Sequence, residues 1–471
     1  MCDCNSVYEQ EPENEIDCDL SLFPLQPRRH QHVEIAAMSR HKKMLNKSRL
    51  GLGKTLSAVY ASKGRTLVSC PNLLVEQWYK WLNGVPENDP DGEPAHPPFA
   101  PLDRQRIVMV RGNYNEKLAL VQQPADFTIV NQEMLQTHGK YMRELAEEGT
   151  WQTFIIDEAH HMRNHEAKRS YTAAQIAKHC EYVFPLTGTP IWKEVDDLYM
   201  LFHMIAPDIF KSYWWFVDNF CIAEDTQYGT KVKGVKKSML PELEQILEMV
   251  STGHTYEQAG REIPPVIKKY VTVDFPKDLK TIYDNMVLNY RLEFEGLNPK
   301  VDIPFSHISQ VMRTMRMLTA PVKYKAVQEI IDELHDTNPA NKIIIFCWYR
   351  EVAEELARQT GGTVIHGGIP KAERRGLAMR AKIVCATLAT LTEGVDLSAA
   401  RAIIFVEEHY TPGSLDQSTG RVVRERQDGN NKEPVHMYYV HVRGTIDQVI
   451  HRAAQKRGFT IAEVIKEALL I

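Results

Sequence analysis

The sequence predicts an α/β protein with two parallel-sheet units and a helical insertion between them. Two series of short apolar runs, each of strand length, alternate with segments of helical character in the two halves of the chain. This alternation is typical of parallel, doubly wound sheets. A glycine-lysine loop over residues 50–55 and the acidic pair Asp157-Glu158 fall where such sheets bind ligands, at the carboxyl ends of strands.

Composition limits the class of protein. The chain has 471 residues, 43% of them hydrophobic and 25% charged, which is ordinary for a folded protein of two or three domains. Its net charge of −5 means that any binding to nucleic acid must use local basic patches. The apolar runs have strand length, so we expect no membrane association. The acidic N-terminus has no signal-peptide pattern, which argues against secretion.

The cysteines indicate a reducing compartment. None of the eight forms a CxxC pair, so we expect free thiols and a cytoplasmic location, in the host cytoplasm if the protein is viral. Cys2, Cys4 and Cys18 are near His30 and His32, but their spacing fits no common zinc module. We therefore predict no metal site in this segment.

The first unit is expected over residues 21–275, after a disordered acidic segment at residues 1–20. Its predicted strands cover residues 65–70, 107–110, 127–130, 154–156 and 182–184. A helical protrusion is expected from about residue 195, with a packed Trp-rich core at 213–216 and a basic loop at 231–237. A helical linker is expected over 276–325, and the second unit over 326–471, with predicted strands at 343–346, 363–365, 382–386, 402–406 and 435–440.

The loop around Gly51, Leu52 and Gly53 suits a phosphate group. Glycine lets backbone N–H groups approach an anion, Lys54 supplies a positive charge, and the Thr55 hydroxyl can ligate Mg²⁺. A helix that begins at Lys54 would direct its positive end at the phosphate. Ser48 stands where the strict pattern has glycine, so a plain glycine turn that caps a helix is the alternative.

Asp157 and Glu158 end a predicted strand, and the alternation of side chains along a strand directs them differently. One carboxylate can hold Mg²⁺ while the other activates a water molecule, as nucleotide hydrolysis requires. An acidic turn that only terminates the strand is the alternative.

Three polar residues share one face of a helix predicted over residues 415–426. Offsets of four and three place Gln417, Arg421 and Arg424 together. Two guanidinium groups on one face can stabilise the charge of a phosphoryl-transfer transition state. A solvent-exposed basic face is the alternative.

Several motifs together resemble a known family. Residues 157–160 (Asp-Glu-Ala-His) and 186–190 (Leu-Thr-Gly-Thr-Pro) look like motifs II and III of superfamily-two helicases, and residues 417–427 resemble motif VI. Within that superfamily the phosphate loop and residues 157–164 resemble the Swi/Snf-type DNA-dependent ATPases, and the compact chain resembles viral or bacterial members. The resemblance covers residues 31–450, nearly the whole chain, with the motifs in the expected order.

The resemblance implies two RecA-like lobes, ATP and Mg²⁺ as cofactors, and a catalytic set of Lys54, Asp157, Glu158, Arg421 and Arg424. It implies Mg²⁺ ligation by Thr55 and Asp157. The nucleotide-binding residues that it implies are Gln31, Gly51, Leu52, Gly53, Lys54, Thr55, Gly394, Asp396 and Gln417. The nucleic-acid contacts that it implies are Pro71, Asn72, Asn131, Thr387 and Thr392, and the coupling residues are His160, Thr187 and Thr189.

The expected function is that of an ATP-driven translocase that moves along duplex DNA by closure of a cleft between its lobes, with the helical insertion as a surface for protein partners. The alternatives are a strand-separating DNA or RNA helicase and a catalytically inactive DNA-binding scaffold. The chain departs from the family pattern at three places. Ser48-Arg49 replaces an acidic pair, Gln132 replaces a tyrosine, and a basic Arg-Arg element is not evident near residues 256–261.

Overall fold

The protein folds as two compact units, Met1–Arg261 and Glu262–Ile471. The computed structural model describes residues 20–72, 74–87, 95–191, 194–226, 229–296, 305–391, 397–409, 418–424, 433–455, 464 and 468. Most of the expected disordered segment at residues 1–20 lies outside this range. No helix among the described residues is both long and apolar enough to cross a lipid bilayer.

A five-stranded parallel sheet forms the centre of the first unit, in the order β3-β4-β2-β5-β6. Its strands are β2 (Thr66–Cys70), β3 (Ile107–Met109), β4 (Phe127–Asn131), β5 (Thr153–Ile156) and β6 (Tyr182–Pro185). Every residue of β2, β5 and β6 is buried, which explains the continuous apolar runs. All five strands predicted from the sequence are confirmed.

Helices cover both faces of this sheet. The helices of the first unit are α1 (Arg29–His41), α2 (Lys54–Ala61), α3 (Val75–Asn83), α4 (Tyr114–Val121), α5 (Gln132–Thr137), α6 (Gly139–Glu147), α7 (Lys168–His179), α8 (Asp197–Ile205), α9 (Tyr213–Phe220) and α10 (Leu240–Met249). One hydrophobic cluster, which includes Met142, Phe154 and Ile176, extends into the insertion through Leu201 and Phe216. A second cluster contains Leu56, Val68 and Trp78.

The expected helical protrusion is partly β-structure. Strands β7 (Cys221–Thr226) and β8 (Gly229–Val235) form an antiparallel hairpin, so most of the predicted basic loop at 231–237 is a strand. The expected Trp-rich core is also corrected: Phe216 is buried on α9, whereas Trp214 and Trp215 are 52% and 44% exposed. The helix buries only one of its faces, and the two tryptophans lie on the other.

Two short strands, β1 (Leu45–Asn46) and β9 (Ser251–Thr252), pair in parallel beside the main sheet. Asn46 also bridges to Leu186 in parallel, just beyond the end of β6. The phosphate loop that follows β1 is thus brought to the carboxyl end of the sheet, next to the last residues of β5 and β6. Strands of only two residues have too short a hydrophobic pattern to be recognised in a sequence.

The second unit contains a six-stranded parallel sheet in the order β10-β15-β14-β11-β13-β12. Its strands are β10 (Val266–Val273), β11 (Lys342–Cys347), β12 (Thr363–Ile365), β13 (Ile383–Thr387), β14 (Ala400–Phe405) and β15 (Val435–Val442). The five predicted strands are present.

Strand β10 falls within the range expected for the first unit, 21–275. It instead pairs along its whole length with β15 as the edge strand of the second sheet. Its side chains are exposed or half-buried, so it lacks the continuous apolar run of a central strand.

The helices of the second unit are α11 (Lys277–Gly296), α12 (Phe305–Thr337), α13 (Arg350–Thr360), α14 (Lys371–Arg380), α15 (Leu388–Leu391) and α16 (Ile446–Gln455). Helix α12 runs through residue 325, where the sequence predicted the boundary between linker and second unit. Its N-terminal half packs with α11 and α16 around Tyr283, Val311 and Ile450, so the expected linker is part of the second unit.

Candidate active site

The phosphate loop has the backbone that a phosphate cradle requires. Gly51 and Gly53 have φ angles of 80° and 81°, in the left-handed region that only glycine adopts without strain. Helix α2 begins at the next residue, Lys54, and Thr55 lies in its first turn. Unpaired N–H groups at such a helix start, together with the helix dipole, make an anion site.

Gln31 of α1 packs directly against Gly53. A Cβ atom at position 53 would lie 2.3 Å from the Gln31 Nε2 atom. This amide group donates to the backbone oxygens of Leu52, at 3.4 Å, and of Gly53, at 3.3 Å, while its oxygen accepts from the N–H of Arg28. Gln31 therefore holds the loop in shape, and its expected reading of adenine stays a prediction.

Lys54 folds back over the loop that precedes it. Its Nζ atom donates to the backbone oxygen of Ser48 at 2.7 Å and to that of Arg49 at 3.4 Å. The ammonium group is also near enough to Asp157 to oppose part of the rise that burial and Glu158 cause in the pKa of that carboxyl group. The cation thus lies between the phosphate loop and the acidic pair.

A fully buried carboxylate, Glu34, organises the outer side of the loop. It accepts hydrogen bonds from the hydroxyls of Ser48, at 2.5 Å, and Ser57, at 2.6 Å, and from the Asn46 amide and the His254 ring. Burial alone would raise the pKa of Glu34, but the hydrogen bonds from these four partners lower it below 4.5. Glu34 is therefore an ionised anchor for the loop.

A strap over residues 251–256 crosses the same loop. The N–H groups of Lys47 and Arg49 donate to the backbone oxygens of Thr252 and His254, and the Tyr256 hydroxyl donates to that of Leu50. Gly253, with a φ of 146°, approaches so closely that a Cβ atom would lie 2.5 Å from the Ser48 nitrogen. The strap fixes the loop from outside, just before the first unit ends at Arg261.

The Asp157 carboxylate lies at the end of β5, where it is 8% exposed. The Trp78 indole donates to its Oδ2 atom at 2.8 Å, and the N–H of Glu158 donates to Oδ1 at 3.0 Å. Burial, and then the adjacent Glu158 charge, raise the pKa of Asp157 to about 6. Two carboxylates that repel each other at the carboxyl end of a sheet would be stabilised by a small dication bound between them. These residues therefore fit Mg²⁺.

Glu158 has an unusual backbone. Its φ angle of 47° places a non-glycine residue in the left-handed region, which costs about 1–2 kcal/mol. The turn brings its Oε2 atom within 3.3 Å of the His160 Nδ1 atom. Strain that surrounding contacts maintain is a frequent feature of reactive sites.

The three predicted coupling residues are in contact with one another. The His160 ring is 3.2 Å from the Thr187 hydroxyl, which accepts from the N–H of Thr189. Thr187 also donates its own N–H to the oxygen of Asn46, beside the phosphate loop. His160 thus joins Glu158 to the Thr-Gly-Thr turn.

The candidate nucleic-acid contacts of the first unit adjoin the acidic pair. The Asn131 amide donates to the Asn72 side chain at 3.2 Å, which brings two of the predicted contacts together, while Pro71 lies at the end of β2. The next residue, Gln132, donates its amide N–H to the Asp157 backbone oxygen at 2.8 Å. Its side-chain oxygen faces the His161 ring at 2.9 Å.

The second unit is described less completely. Thr387 ends β13, where its hydroxyl is 2.9 Å from that of Thr390. Four predicted site residues, Thr392, Gly394, Asp396 and Gln417, lie outside the described residues.

The predicted helix face that carries Arg421 and Arg424 is not present. Within residues 418–424 a helical turn covers only Ser418 and Thr419, and a turn follows. Gly420 and the β-branched Val422 and Val423 disfavour a helix, and both valines are buried instead. The two arginines therefore flank a buried pair, and their roles in catalysis stay predictions.

Sequence reasoning missed Glu34, His254 and Trp78. Glu34 had a signal, because an offset of three places it on the same face of α1 as Gln31. His254 is more than 200 residues away from its partner Glu34, and nothing local in the sequence links them. Nothing in the sequence around Trp78 on α3 indicates that its indole reaches Asp157.

Comparison with known proteins identifies the family. The SNF2-related domain matches residues 98–329, and the helicase conserved C-terminal domain matches residues 322–426. A bovine (Bos taurus) relative, "DNA annealing helicase and endonuclease ZRANB3", is 21% identical over 90% of this chain and 39% of its own length. A Caenorhabditis elegans homolog of the "SWI/SNF-related matrix-associated actin-dependent regulator of chromatin subfamily A-like protein 1" is 24% identical over 94% of this chain and 62% of its own length.

The chain therefore spans about two fifths to three fifths of the length of these relatives. Among solved structures, the "Sulfolobus solfataricus SWI2/SNF2 ATPase core in complex with dsDNA" aligns over 95% of both chains, with 18% identity and a TM-score of 0.42. The two domain matches together cover residues 98–426, and the relatives align along almost the whole chain. The chain belongs to the Swi/Snf-type ATPases of helicase superfamily two, a class of nucleic-acid-dependent ATPases.

Proposed function

We propose that this protein hydrolyses ATP in order to move along double-stranded DNA without separating its strands. The observation that carries the proposal is the arrangement in the first unit. The loop whose glycines have left-handed φ angles, the Lys54 ammonium and the buried Asp157-Glu158 pair lie next to one another at the carboxyl end of one sheet. That is the set of groups that phosphoryl transfer to water requires.

In this proposal the N–H groups of the loop and Lys54 bind the phosphates, and Thr55 and Asp157 hold Mg²⁺. When bound, Mg²⁺ neutralises charge on the phosphate oxygens. Glu158 accepts a proton from the attacking water, and its strained turn orients the carboxylate for this step. Arg421 and Arg424 stabilise the developing negative charge when the two lobes close around the nucleotide.

Duplex DNA is proposed as the partner because relatives of this chain are named as enzymes that act on DNA. The contacts of the first unit are assigned to Pro71, Asn72 and Asn131, and those of the second to Thr387 and Thr392. Amide and hydroxyl groups suit phosphate contacts that do not depend on base sequence. Gln132 and Trp78 then connect these contacts to the acidic pair, because each donates a hydrogen bond to Asp157.

The test measures ATP turnover without nucleic acid and with duplex DNA, single-stranded DNA or RNA. We expect the largest stimulation with duplex DNA, displacement of a third strand from a triplex, and no separation of a simple duplex. Affinity for duplex DNA is expected to fall steeply as salt increases, because phosphate contacts release counterions. Glu158→Gln is expected to retain DNA binding and lose turnover.

Each other outcome identifies an alternative. Stimulation by RNA alone, or efficient separation of a duplex, contradicts the translocase and supports a strand-separating helicase. DNA binding with no turnover in the wild-type protein supports an inactive scaffold.

A further inference from the structure

A second cluster of ionisable side chains lies in the second unit, within the part that the structure describes. Glu408 follows β14, His441 is on β15 and His451 is on α16. One ligand atom from each of the three lies within 4.8 Å of the other two. We propose that these residues bind a divalent transition-metal ion of the zinc class, at a site separate from the Mg²⁺ site of the first unit.

The distances from Glu408 to the two imidazoles are slightly shorter than those between the ligands of a bound ion. The Glu408 Oε1 atom is 2.5 Å from His441 Nε2 and 3.0 Å from His451 Nδ1. In tetrahedral coordination with bonds of about 2.0–2.1 Å, ligand atoms are about 3.3 Å apart. Small side-chain rotations would therefore open a position for the ion. Two imidazoles and one carboxylate are a donor set that zinc sites use, with the fourth position free for water.

Burial gives the cluster one accessible side. The Glu408 and His441 side chains are 3% and 9% exposed, whereas that of His451 is 17% exposed. Glu408 and His441 are thus held inside the unit, while an ion can enter beside His451. Two buried ligands and one at the surface provide both a fixed geometry and an entry path.

The charge balance of the cluster also favours a cation. Among the described residues, the hydrogen bonds to the Glu408 carboxylate come from the two imidazoles. The neighbouring cations are otherwise engaged: Arg316 donates to the Glu408 backbone oxygen, and Lys323 pairs with Asp447. The two imidazole rings are only 4.7 Å apart, so two imidazolium charges would repel each other. A dication satisfies both nitrogen lone pairs and the carboxylate together.

An outer residue can fix the ligand tautomer. The Gln455 amide lies 2.7 Å from the His451 Nε2 atom, on the side of the ring away from Glu408. The amide nitrogen is the atom that faces the ring, and a half-turn of the amide lets its oxygen accept the Nε2–H and leaves the Nδ1 lone pair directed at the cluster. Outer partners of this kind orient the histidine ligands of metal sites.

A bound ion would cross-link three elements of the second unit. It would join the ends of β14 and β15 to α16, in addition to the hydrogen bond that the Val442 N–H of β15 donates to Asp447 of α16. This role is structural and does not depend on ATP hydrolysis, so it stands or falls separately from the proposed function.

The test titrates Co²⁺ into the untagged, chelator-treated full chain without nucleotide, and follows visible absorption and bound metal. We expect one equivalent with the spectrum of a four- or five-coordinate site, displacement by Zn²⁺, and a rise in the unfolding temperature with Zn²⁺. Glu408→Gln and His441→Ala are each expected to weaken binding about a hundredfold or more, since each removes a direct ligand. His436→Ala is the matched control, because residue 436 lies on the opposite face of the same strand.

Equal Co²⁺ binding by the wild type and both ligand variants overturns the proposal, since the ion is then bound elsewhere. No binding by the wild type, with no effect of Zn²⁺ on its unfolding temperature, also overturns it and leaves an imidazole–carboxylate hydrogen-bond cluster only. Circular dichroism shows whether each variant folds. Glu408→Gln keeps the size of the side chain and both imidazoles, so it tests the site if His441→Ala does not fold.

Discussion

The Ser48 hydroxyl donates a hydrogen bond of 2.5 Å to Oε1 of Glu34, and this contact ties the phosphate loop to helix α1. Ser48-Arg49 stands where the family resemblance implies an acidic pair. The structure places a carboxylate beside position 48 all the same, because Glu34 reaches it from the preceding helix. The region around the loop therefore still has a negatively charged group, although it comes from Glu34 and not from the loop itself.

Glu34→Gln is expected to loosen the loop. Its amide N–H₂ group would replace one carboxylate oxygen and face two donors, either Ser57 and Asn46 or Ser48 and His254, so about 1–3 kcal/mol of unfolding free energy should be lost at pH 7. We also expect weaker nucleotide binding. Urea unfolding and titration with a fluorescent ATP analogue measure the two effects, and Glu244→Gln, on an exposed position of α10, is the control.

The same variant has a pH signature. Because folding lowers the pKa of Glu34 below 4.5, its stabilising contribution is present above that value. The contribution is lost as the pH falls through the folded-state pKa. The stability difference between wild type and variant should therefore shrink below about pH 4.5. A difference that stays constant down to pH 3 would contradict an ionised Glu34.

Gly53→Ala should impair the loop more than its backbone angle alone explains. The added Cβ would meet the Gln31 amide at 2.3 Å, whereas Gly149, with a φ of 74°, has nothing within 4 Å. Both variants have the left-handed backbone cost of about 1–2 kcal/mol. Only Gly53→Ala should lose additional stability and ATP binding, as measured by urea unfolding and nucleotide titration. Equal losses in both would show that Gln31 simply moves aside.

Asp157→Asn is expected to stabilise the nucleotide-free protein and to abolish turnover. Folding raises the pKa of Asp157 from 3.8 to about 6, so the ionised group opposes folding at pH 7. The asparagine oxygen can still accept from Trp78, and although the hydrogen bond from the Glu158 N–H is lost, the charge repulsion with the Glu158 carboxylate is removed, for a net gain on the order of 1–3 kcal/mol. Thermal and urea unfolding measure it, with the exposed Asp336→Asn as control.

The stability advantage of Asp157→Asn should depend on pH in a defined direction. A raised folded-state pKa makes the wild type gain stability as the pH falls from 7 through about 6, and the gain is complete below the ordinary pKa of 3.8. The advantage of Asp157→Asn should accordingly decrease from pH 7 to pH 5. If the stability advantage of Asp157→Asn instead grew as the pH fell, the pKa of Asp157 would not be raised by folding.

Gln132→Leu is expected to uncouple DNA binding from hydrolysis. The leucine keeps a similar volume but removes the hydrogen bonds to the Asp157 backbone and the His161 ring. Burial and the nearby His160 lower the pKa of His161 to about 4, so this ring is neutral and depends on Gln132 for its orientation. We expect DNA-stimulated turnover to fall about tenfold, while basal turnover changes less.

The measurement is the ratio of stimulated to basal turnover, with DNA affinity measured in parallel. Gln122→Leu, which changes an exposed glutamine of the same unit, controls for the substitution itself. A proportional fall in both rates would mean that Gln132 only supports the fold.

Arg421→Ala is expected to lower turnover about 10³-fold or more, since an arginine that stabilises transition-state charge contributes on this scale. ATP binding by the full chain should remain, because the phosphate loop is in the other unit. The Arg421→Lys variant should recover little of the lost turnover, because an ammonium group cannot form the paired contacts of a guanidinium. Normal turnover in Arg421→Ala would remove this residue from the proposed mechanism.

Local sequence pattern predicted the elements that rest on local physics. The buried strands of both sheets, the start of α2 at Lys54 and the positions of Asp157 and Glu158 at a strand end all follow from apolar runs and glycine placement. The pattern failed where neighbours override propensity. Strand β10 lacks a central-strand signal, and the helix expected through Arg424 ends early because Val422 and Val423 are drawn into the core.

The sequence by itself determined the fold class and the family and predicted the groups proposed to bind the phosphates, since these depend on periodicity and on motifs of a few adjacent residues. Only the tertiary structure decided what holds those groups in place. Glu34 and His254 meet across 220 residues, Trp78 reaches Asp157 across 79, and Glu408 gathers two histidines from β15 and α16. Contacts of this range arise from the way sheets and helices pack, and a buried charge finds its partners in space rather than along the chain.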